Sequence, residues 1–259
     1  MGILSFADWF EWMAAYARAA GCDPESCRYG IDEEGRILSP RGRVVCEKEQ
    51  NGSFLAIAES RIVGEWAEWL ANQYMVCHAA ALERRGGALL LVGPPGAGKS
   101  TLALALVRHG FGYLGEEFAI VCPNTLEALP FPKALCIKDT EMAMVSAPDP
   151  HFEVIPYPPD FAPRYAGAVC CLPRKEIVPA PGTRFPVRWV FFLLDRGATG
   201  RPVYRSRWRA ATALYEACWQ IGDAAFHTVV GLARQAEVSA LERNSVEKLA
   251  DCVMGVTGG

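Results

Sequence analysis

Apolar side chains recur at three- and four-residue steps across Ser5–Ala19 (Phe6, Trp9, Phe10, Met13, Tyr16), which predicts a helix with an aromatic stripe that stops at Gly21. Such a stripe suits a buried core or a partner-docking helix. From Gly35 to Ser60 the pattern shortens to β-like pieces (Arg36–Ser39, Arg43–Cys46, Phe54–Ala58) set apart by Pro40-Arg41-Gly42 and Asn51-Gly52. Helical spacing returns over Ile62–Tyr74, with Trp66, Trp69 and Leu70 on one side.

Met75–Val121 reads as strand, turn, strand, glycine-rich loop, helix and strand. Between Pro148 and Pro186 lie ten of the 18 prolines, which predicts extended backbone, loops and edge strands. An apolar strand at Trp189–Leu194 precedes helices around Arg209–Ile221 and Ser245–Met254, with a helical or loop piece between them and a frayed tail. There is no internal repeat. The order predicts a small N-terminal helix plus short β region, 1–62, followed by a larger α/β domain, 63–259.

The chain has 259 residues, 51% hydrophobic and 21% charged, enough to bury a sizeable core and too apolar for disorder. A net charge of −3 gives no general attraction to nucleic acid or anionic lipid. The apolar runs are of strand length, well short of the roughly 20 residues that span a bilayer. The start, Met1-Gly2-Ile3-Leu4-Ser5, has neither the basic opening of a secretory signal nor the spacing for myristoylation. With ten cysteines, no Cys-x-x-Cys and no histidine at ligand spacing, the expectation is reduced thiols in a cytoplasm and no structural zinc.

Gly93-Pro94-Pro95-Gly96-Ala97-Gly98-Lys99-Ser100 satisfies every fixed position of G-x-x-x-x-G-K-[ST]. It sits between the apolar strand Ala88–Val92 and a good helix, Thr101–His109, which is the order the chemistry needs. The glycines let backbone N–H groups turn inward around phosphates, and the helix N-terminus adds its dipole. Lys99 supplies a mobile point charge to the β- and γ-phosphates. The Ser100 hydroxyl supplies one Mg²⁺ position.

Arg84-Arg85-Gly86-Gly87 has the composition of a tight hairpin turn. A regular hairpin sets Glu83 opposite Ala88 and, counted outward, His78 opposite Gly93. Downstream, a strand over Phe111–Leu114 delivers Glu116 and Glu117 to its C-terminal tip, the edge where ligands gather in open α/β sheets. Two such carboxylates can accept a proton, hold Mg²⁺, or do one each, although a solvated acidic turn has the same sequence. Asp195, after Trp189–Leu194, has the outline of a Walker B acid but is followed by Arg196-Gly197, which also suits a hairpin turn.

Together His78–Glu83, the glycine-rich loop, Gly110–Leu114 and Glu116-Glu117-Phe118 resemble the HPr kinase/phosphorylase superfamily, and more closely its HPr-kinase-related branch, some members of which modify peptides including lasso-peptide precursors. The resemblance is clear from about residue 60 to 140 and fainter to about 250. It implies an α/β fold of the phosphoenolpyruvate-carboxykinase-like P-loop type, like the HPr kinase C-terminal domain, with a mixed sheet flanked by helices. Carried over by position, His78 matches the family histidine before the loop, and residues 93–101, with Thr101 last, match its phosphate segment. Glu116 and Glu117 stand where the family has an Asp-Asp pair, the second being the proton acceptor, which makes Ser100 and Glu117 the implied metal side.

Leu135-Cys136-Ile137-Lys138-Asp139 resembles the family's Leu-Glu-Ile-Arg-Gly stretch, with Cys136 replacing the metal-assisting glutamate and Lys138 keeping a cation beside phosphate. A thiol is a poor Mg²⁺ ligand, and Asp139 or Glu141 would be its substitute. Arg184, in Pro179–Arg184, falls near the family's proline-glycine-arginine stretch as a transition-state cation. The implied activity is an ATP- and Mg²⁺-dependent kinase acting on a hydroxyl, foremost a serine of a peptide or small protein such as a biosynthetic precursor, and homo-oligomers are compatible with it. Two alternatives remain open: a sugar or amino-acid kinase on the same fold, and a non-catalytic ATP-responsive binding module. A peptide kinase should show an open groove near the prolines of 148–186.

Overall fold

The computed structural model describes residues 6–19, 21–47, 54–138, 149–156, 168–194, 206–242 and 244–258. The N-terminal third is α1 (Phe6–Ala19), a 3-10 turn at Pro24–Cys27, a three-stranded sheet of β1 (Gly30–Ile31), β2 (Ile37–Leu38) and β3 (Val44–Cys46), and α2 (Phe54–Ala71). Next come β4 (Met75–Cys77), β5 (Ala79–Arg84), β6 (Gly87–Val92), α3 (Lys99–Arg108), β7 (Gly112–Gly115), β8 (Ala119–Val121), β9 (Glu127–Leu129) and β10 (Leu135–Ile137). The rest is β11 (Phe152–Pro156), β12 (Val169–Pro173), β13 (Phe185–Leu193), α4 (Arg207–Glu216), α5 (Asp223–Gln235), β14 (Glu237–Leu241) and α6 (Val246–Thr257).

This is a mixed α/β fold with a central mixed sheet flanked by helices. Eight strands run β4-β8-β9-β13-β6-β5-β7, with β14 added beside β13. The β6, β13 and β14 strands are mutually parallel and the other pairs are antiparallel. Cys77↔Ala119 and Ala81↔Gly115 belong to one register, so β4–β5 and β7–β8 act as two long bent strands facing each other. Both are interrupted at the same level, at His78 and at Glu116–Phe118. The site is built in that gap.

Alternation along the bent strands assigns the core. Met75, Cys77, Ala79 and Ala81 join Leu90, Val92, Val190 and Phe192 on the face covered by α4 and α5, through Leu214, Val229 and Leu232. Ala80, Leu82, Leu89, Leu91 and Phe191 face the other way, against α3, α6 and a second sheet, β10-β12-β11. Val76, Phe118, Ile120 and Leu129 share that outer face but pack on Met13 and Tyr16 of α1 and Ile62, Trp66 and Leu70 of α2. Unbroken burial of Gly87–Val92 is what a strand covered on both faces requires.

Several elements differ from the sequence pattern. Phe54–Ala58 is helical, opening an 18-residue α2, because Ala56, Ala58 and Glu59 favour helix and the stripe of Ile62, Trp66 and Leu70 extends it. The boundary expected at 62/63 therefore falls inside α2, and residues on both sides of it share one cluster. β14 has no alternating pattern to announce it; parallel pairing with β13 makes it a strand. The stripe of α1 is core at Met13 and Tyr16, while the side chains of Phe6, Trp9 and Phe10 lie outside the described residues. Among the described residues no helix is long and apolar enough to cross a membrane.

Candidate active site

The hairpin of β5 and β6 has the expected register: Glu83 pairs with Ala88, and Ala79↔Val92 is the last pair, leaving His78 level with Gly93. Arg85 (φ 51°) and Gly86 (φ 72°) are both left-handed, as a two-residue type I′ turn requires. After β6 the chain enters 93–98, where Gly96 (φ 81°) and Gly98 (φ 94°) adopt the left-handed backbone that turns the loop into α3. Gly93 is glycine for another reason. A Cβ there would stand 2.9 Å from the Leu193 carbonyl oxygen of β13.

Lys99 is buried and bends back over this loop, donating to the carbonyls of Gly93 (2.7 Å) and Pro94 (3.3 Å). Burial pulls its ammonium below the usual lysine range, with Glu116, Cys77 and Glu117 acting the other way. The Thr101 hydroxyl is buried without a hydrogen-bond partner. A confined cation held by neutral carbonyls, an orphaned hydroxyl and a helix N-terminus with free N–H groups are features that fit nucleotide phosphates.

Ser100 donates to Glu116 Oε1 at 2.7 Å. Glu116 is buried, and burial pushes its carboxyl above the usual carboxylate range although Lys133, Ser100 and Lys99 favour its charge. Glu116, rather than Glu117, is thus the acid that the structure sets on Ser100. Among the described residues no three His, Cys, Asp or Glu converge as a metal cage. The Ser100–Glu116 pair nevertheless suits Mg²⁺, which takes few protein ligands and fills its octahedron with phosphate oxygens and water.

Glu117 has φ +74°, a left-handed conformation that costs a non-glycine residue about 1–2 kcal/mol. The twist separates the two carboxylates: Glu116 turns to Ser100, and Glu117 forms an ion pair with Lys133. Gly115 lets the Phe131 segment that carries Lys133 come close, since a Cβ there would stand 2.4 Å from the Phe131 carbonyl oxygen. Across the gap, the His78 backbone N–H donates to Ala217 O at 2.7 Å and the imidazole hydrogen-bonds the Glu117 backbone. Burial, then Lys99, holds the His78 imidazole below the usual histidine range, so at neutral pH it is uncharged.

Lys133 is the residue that sequence reasoning missed. Tyr113 Oη donates to its carbonyl at 2.7 Å, and its own N–H donates to Phe131 O at 2.8 Å. The available signal was a lone charge inside the apolar run Leu129–Ile137, just after prolines at 130 and 132.

Cys136 faces the site: burial and the Glu116 charge push its thiol up to about 11. Lys138 is exposed beside it and adds positive potential at Lys99. Asp139, Glu141 and Asp195 lie outside the described residues. Arg184 is a correction to the resemblance. It precedes β13, whose far end meets the loop at Leu193, so about 30 Å of extended strand separates it from Gly93. Its Nη1 instead reaches Cys122 Sγ at 3.7 Å, near Tyr16 and Tyr74.

A cleft bordered by the proline-rich segment does exist, about 340 Å³ lined by His151, Glu176 and Pro179, but it lies at the opposite end of α3 from Ser100. A wider cavity of about 830 Å³ opens between α2, the β2–β3 turn and Trp219. Trp219 pairs edge to face with Phe118, the neighbour of Glu117, at 5.1 Å.

No protein-family model matches the chain, and no curated protein matches it. Among solved structures, it is similar to the Hpr(Ser) kinase/phosphatase from Coxiella burnetii at 17% identity and a TM-score of 0.28, over 49% of this chain and 64% of that one. The chain thus spans less than two thirds of that protein's length.

Proposed function

We propose that the chain is an ATP- and Mg²⁺-dependent phosphotransferase of the P-loop, HPr-kinase-like type, moving the γ-phosphoryl group of ATP to a serine hydroxyl of a peptide or small protein. The observation that carries this reading is the division of labour at the interrupted bent strands, with Glu116 on Ser100 at the loop and Glu117 turned away beside His78. Bound ATP would supply the phosphoryl group, with Mg²⁺ neutralising its charge.

The chain's own residues do the rest. Loop N–H groups, Lys99 and Thr101 grip phosphate oxygens, while Ser100 and Glu116 hold the metal side. Glu117 takes the acceptor proton as the hydroxyl oxygen bonds to phosphorus and the bond to the β-phosphate oxygen breaks. Lys133 aims Glu117 through their ion pair, and neutral His78 fixes its backbone. Alignment and charge stabilisation of this kind are most of what phosphoryl transfer needs.

The Lys133–Glu117 ion pair also favours a second reading, because a carboxylate held this way in every state would serve an ATP-responsive binding module without transfer. A γ-³²P-ATP assay on serine peptides and small-molecule acceptors separates the readings. Transfer to a peptide that falls about 10²–10⁴-fold in Glu117→Gln, with nucleotide binding kept, supports the kinase. Tight nucleotide binding without label on any acceptor supports the module, and label on a sugar or amino acid alone moves the acceptor class to small molecules.

A further inference from the structure

We infer that the cleft between α2, the β2–β3 turn and Trp219 docks the acceptor, as an extended peptide that carries a carboxylate and a cation; this rests on the kinase reading above. The outer face of the sheet carries α3 and its loop on one half and α2 on the other, and the gap holding Glu117 lies between them. Trp219 is anchored there by its backbone N–H, which donates to Val76 O at 2.8 Å, and by its ring on Phe118, while keeping 46% of its surface exposed. A chain lying along the cleft and over Trp219 leads toward Glu117.

A volume of about 830 Å³ is at the upper end of the ~300–1,000 Å³ usual for ligand clefts, more than a sugar or amino acid fills.

Trp69 and Trp219 offer flat apolar faces for side chains, and the Asn72 and Gln220 amides present both donors and acceptors to a peptide main chain. Among the lining charges Arg43 and Glu65 are paired with each other. The side chains of Arg41 and Glu68, both exposed, have no opposite charge among the described residues. The occupant that satisfies the cleft therefore brings a carboxylate to Arg41, a cation to Glu68 and an apolar residue to the tryptophans. A neutral sugar meets none of these charges.

The test uses the full chain and synthetic serine peptides carrying an acidic residue, an apolar residue and a lysine at varied offsets. Peptide affinity is read by fluorescence anisotropy without nucleotide, and peptide KM with γ-³²P-ATP. Arg41→Glu and Trp219→Ala should each weaken binding about tenfold. Exchanging the peptide's acid for lysine should restore binding to Arg41→Glu, a rescue that an unfolded variant cannot show. Peptide labelling with unchanged KM in both variants overturns the groove and leaves the kinase standing. Binding with charge-swap rescue but no label in the parent chain upholds the groove and removes the kinase. Absence of peptide binding altogether overturns the groove.

Discussion

Helix α3 packs aliphatic side chains onto the sheet, with the rings of Phe111, Tyr113, Phe152 and Phe191 around them, whereas the core around α2 is where tryptophan and paired tyrosines enter, although both cover the same face of one sheet. Around α3, Leu102, Leu104, Leu106 and Val107 interlock with Leu82, Leu89 and Leu91, all fully buried. Around α2, Trp66, Phe118 and Phe131 meet edge to face, and tyrosines carry hydroxyls to fixed acceptors, Tyr16 to Pro130 O at 2.8 Å and Tyr29 to Glu65 at 2.8 Å. If the α3 half grips phosphate, whose geometry is invariant, it profits from close aliphatic packing. The other half brings rings and polar tips to the surface, where Trp69 and Trp219 remain partly open, a surface that would suit an occupant as variable as a peptide.

If the halves divide the work in this way, substitutions in them should have different signatures. The largest effect is expected at Lys99. Lys99→Ala removes the cation at the loop, and transfer should fall about a thousandfold or more, roughly 4 kcal/mol of transition-state stabilisation. Nucleotide affinity should fall with it, and peptide affinity measured without nucleotide should stay. Loss of both affinities would mean that the halves are one site.

How much of this was legible in sequence follows from distance along the chain. The loop, its flanking strand and helix, and the Glu83–Ala88 register could be read because fixed spacing and a two-residue turn determine them locally. Glu116 and Glu117 could be placed at a strand tip, but not told apart, since their roles depend on the left-handed backbone at 117. Lys133, Trp219 and β14 were out of reach because each is positioned by a partner remote in sequence: Glu117, Phe118 and β13. Arg184 misled for the converse reason: a loose motif match carried no information on which end of β13 it occupies.

Gly115 stands where the halves join, and its replacement should come next in magnitude. In Gly115→Ala the methyl group meets the Phe131 carbonyl, which is backbone and held by its own pairing, so stability should fall by about 3 kcal/mol. Chemical denaturation would show a lower midpoint at unchanged slope. Displacing Phe131 also moves Lys133 from Glu117, so turnover should fall more than nucleotide affinity. An unchanged midpoint would show that β7 and the Phe131 segment are not tightly joined.

Glu116→Gln should move stability the other way. The substitution keeps an acceptor for Ser100 while removing a buried charge that burial already disfavours. A gain of about 1 kcal/mol, about 2–4 °C in melting temperature for a chain of this size, is expected. The same variant should bind nucleotide with weaker dependence on Mg²⁺. A site that is less stable because of its function would behave in this way, whereas a purely structural Glu116 would lose stability on substitution.

The smallest effect is expected at Tyr16, which tests whether α1 supports the aromatic half. Its hydroxyl holds the Pro130 carbonyl three residues before Lys133, so Tyr16→Phe leaves that acceptor unsatisfied and should cost about 1 kcal/mol near neutral pH. Burial, then the neighbouring Tyr74, raises the Tyr16 hydroxyl well above 10.0, with Arg184 opposing. The folded chain therefore keeps this proton when the unfolded chain releases it. The stability it contributes is complete below pH 10 and is lost as pH rises beyond it, by about 1.4 kcal/mol per pH unit for one proton. Burial raises Tyr74 in the same direction, so the parent chain should lose stability above pH 10 with contributions from both tyrosines. In Tyr16→Phe the alkaline slope should decrease by about one proton, and peptide KM should rise slightly as Lys133 loosens. An unaltered alkaline slope would show that this hydroxyl reaches water, and that α1 does not hold Pro130.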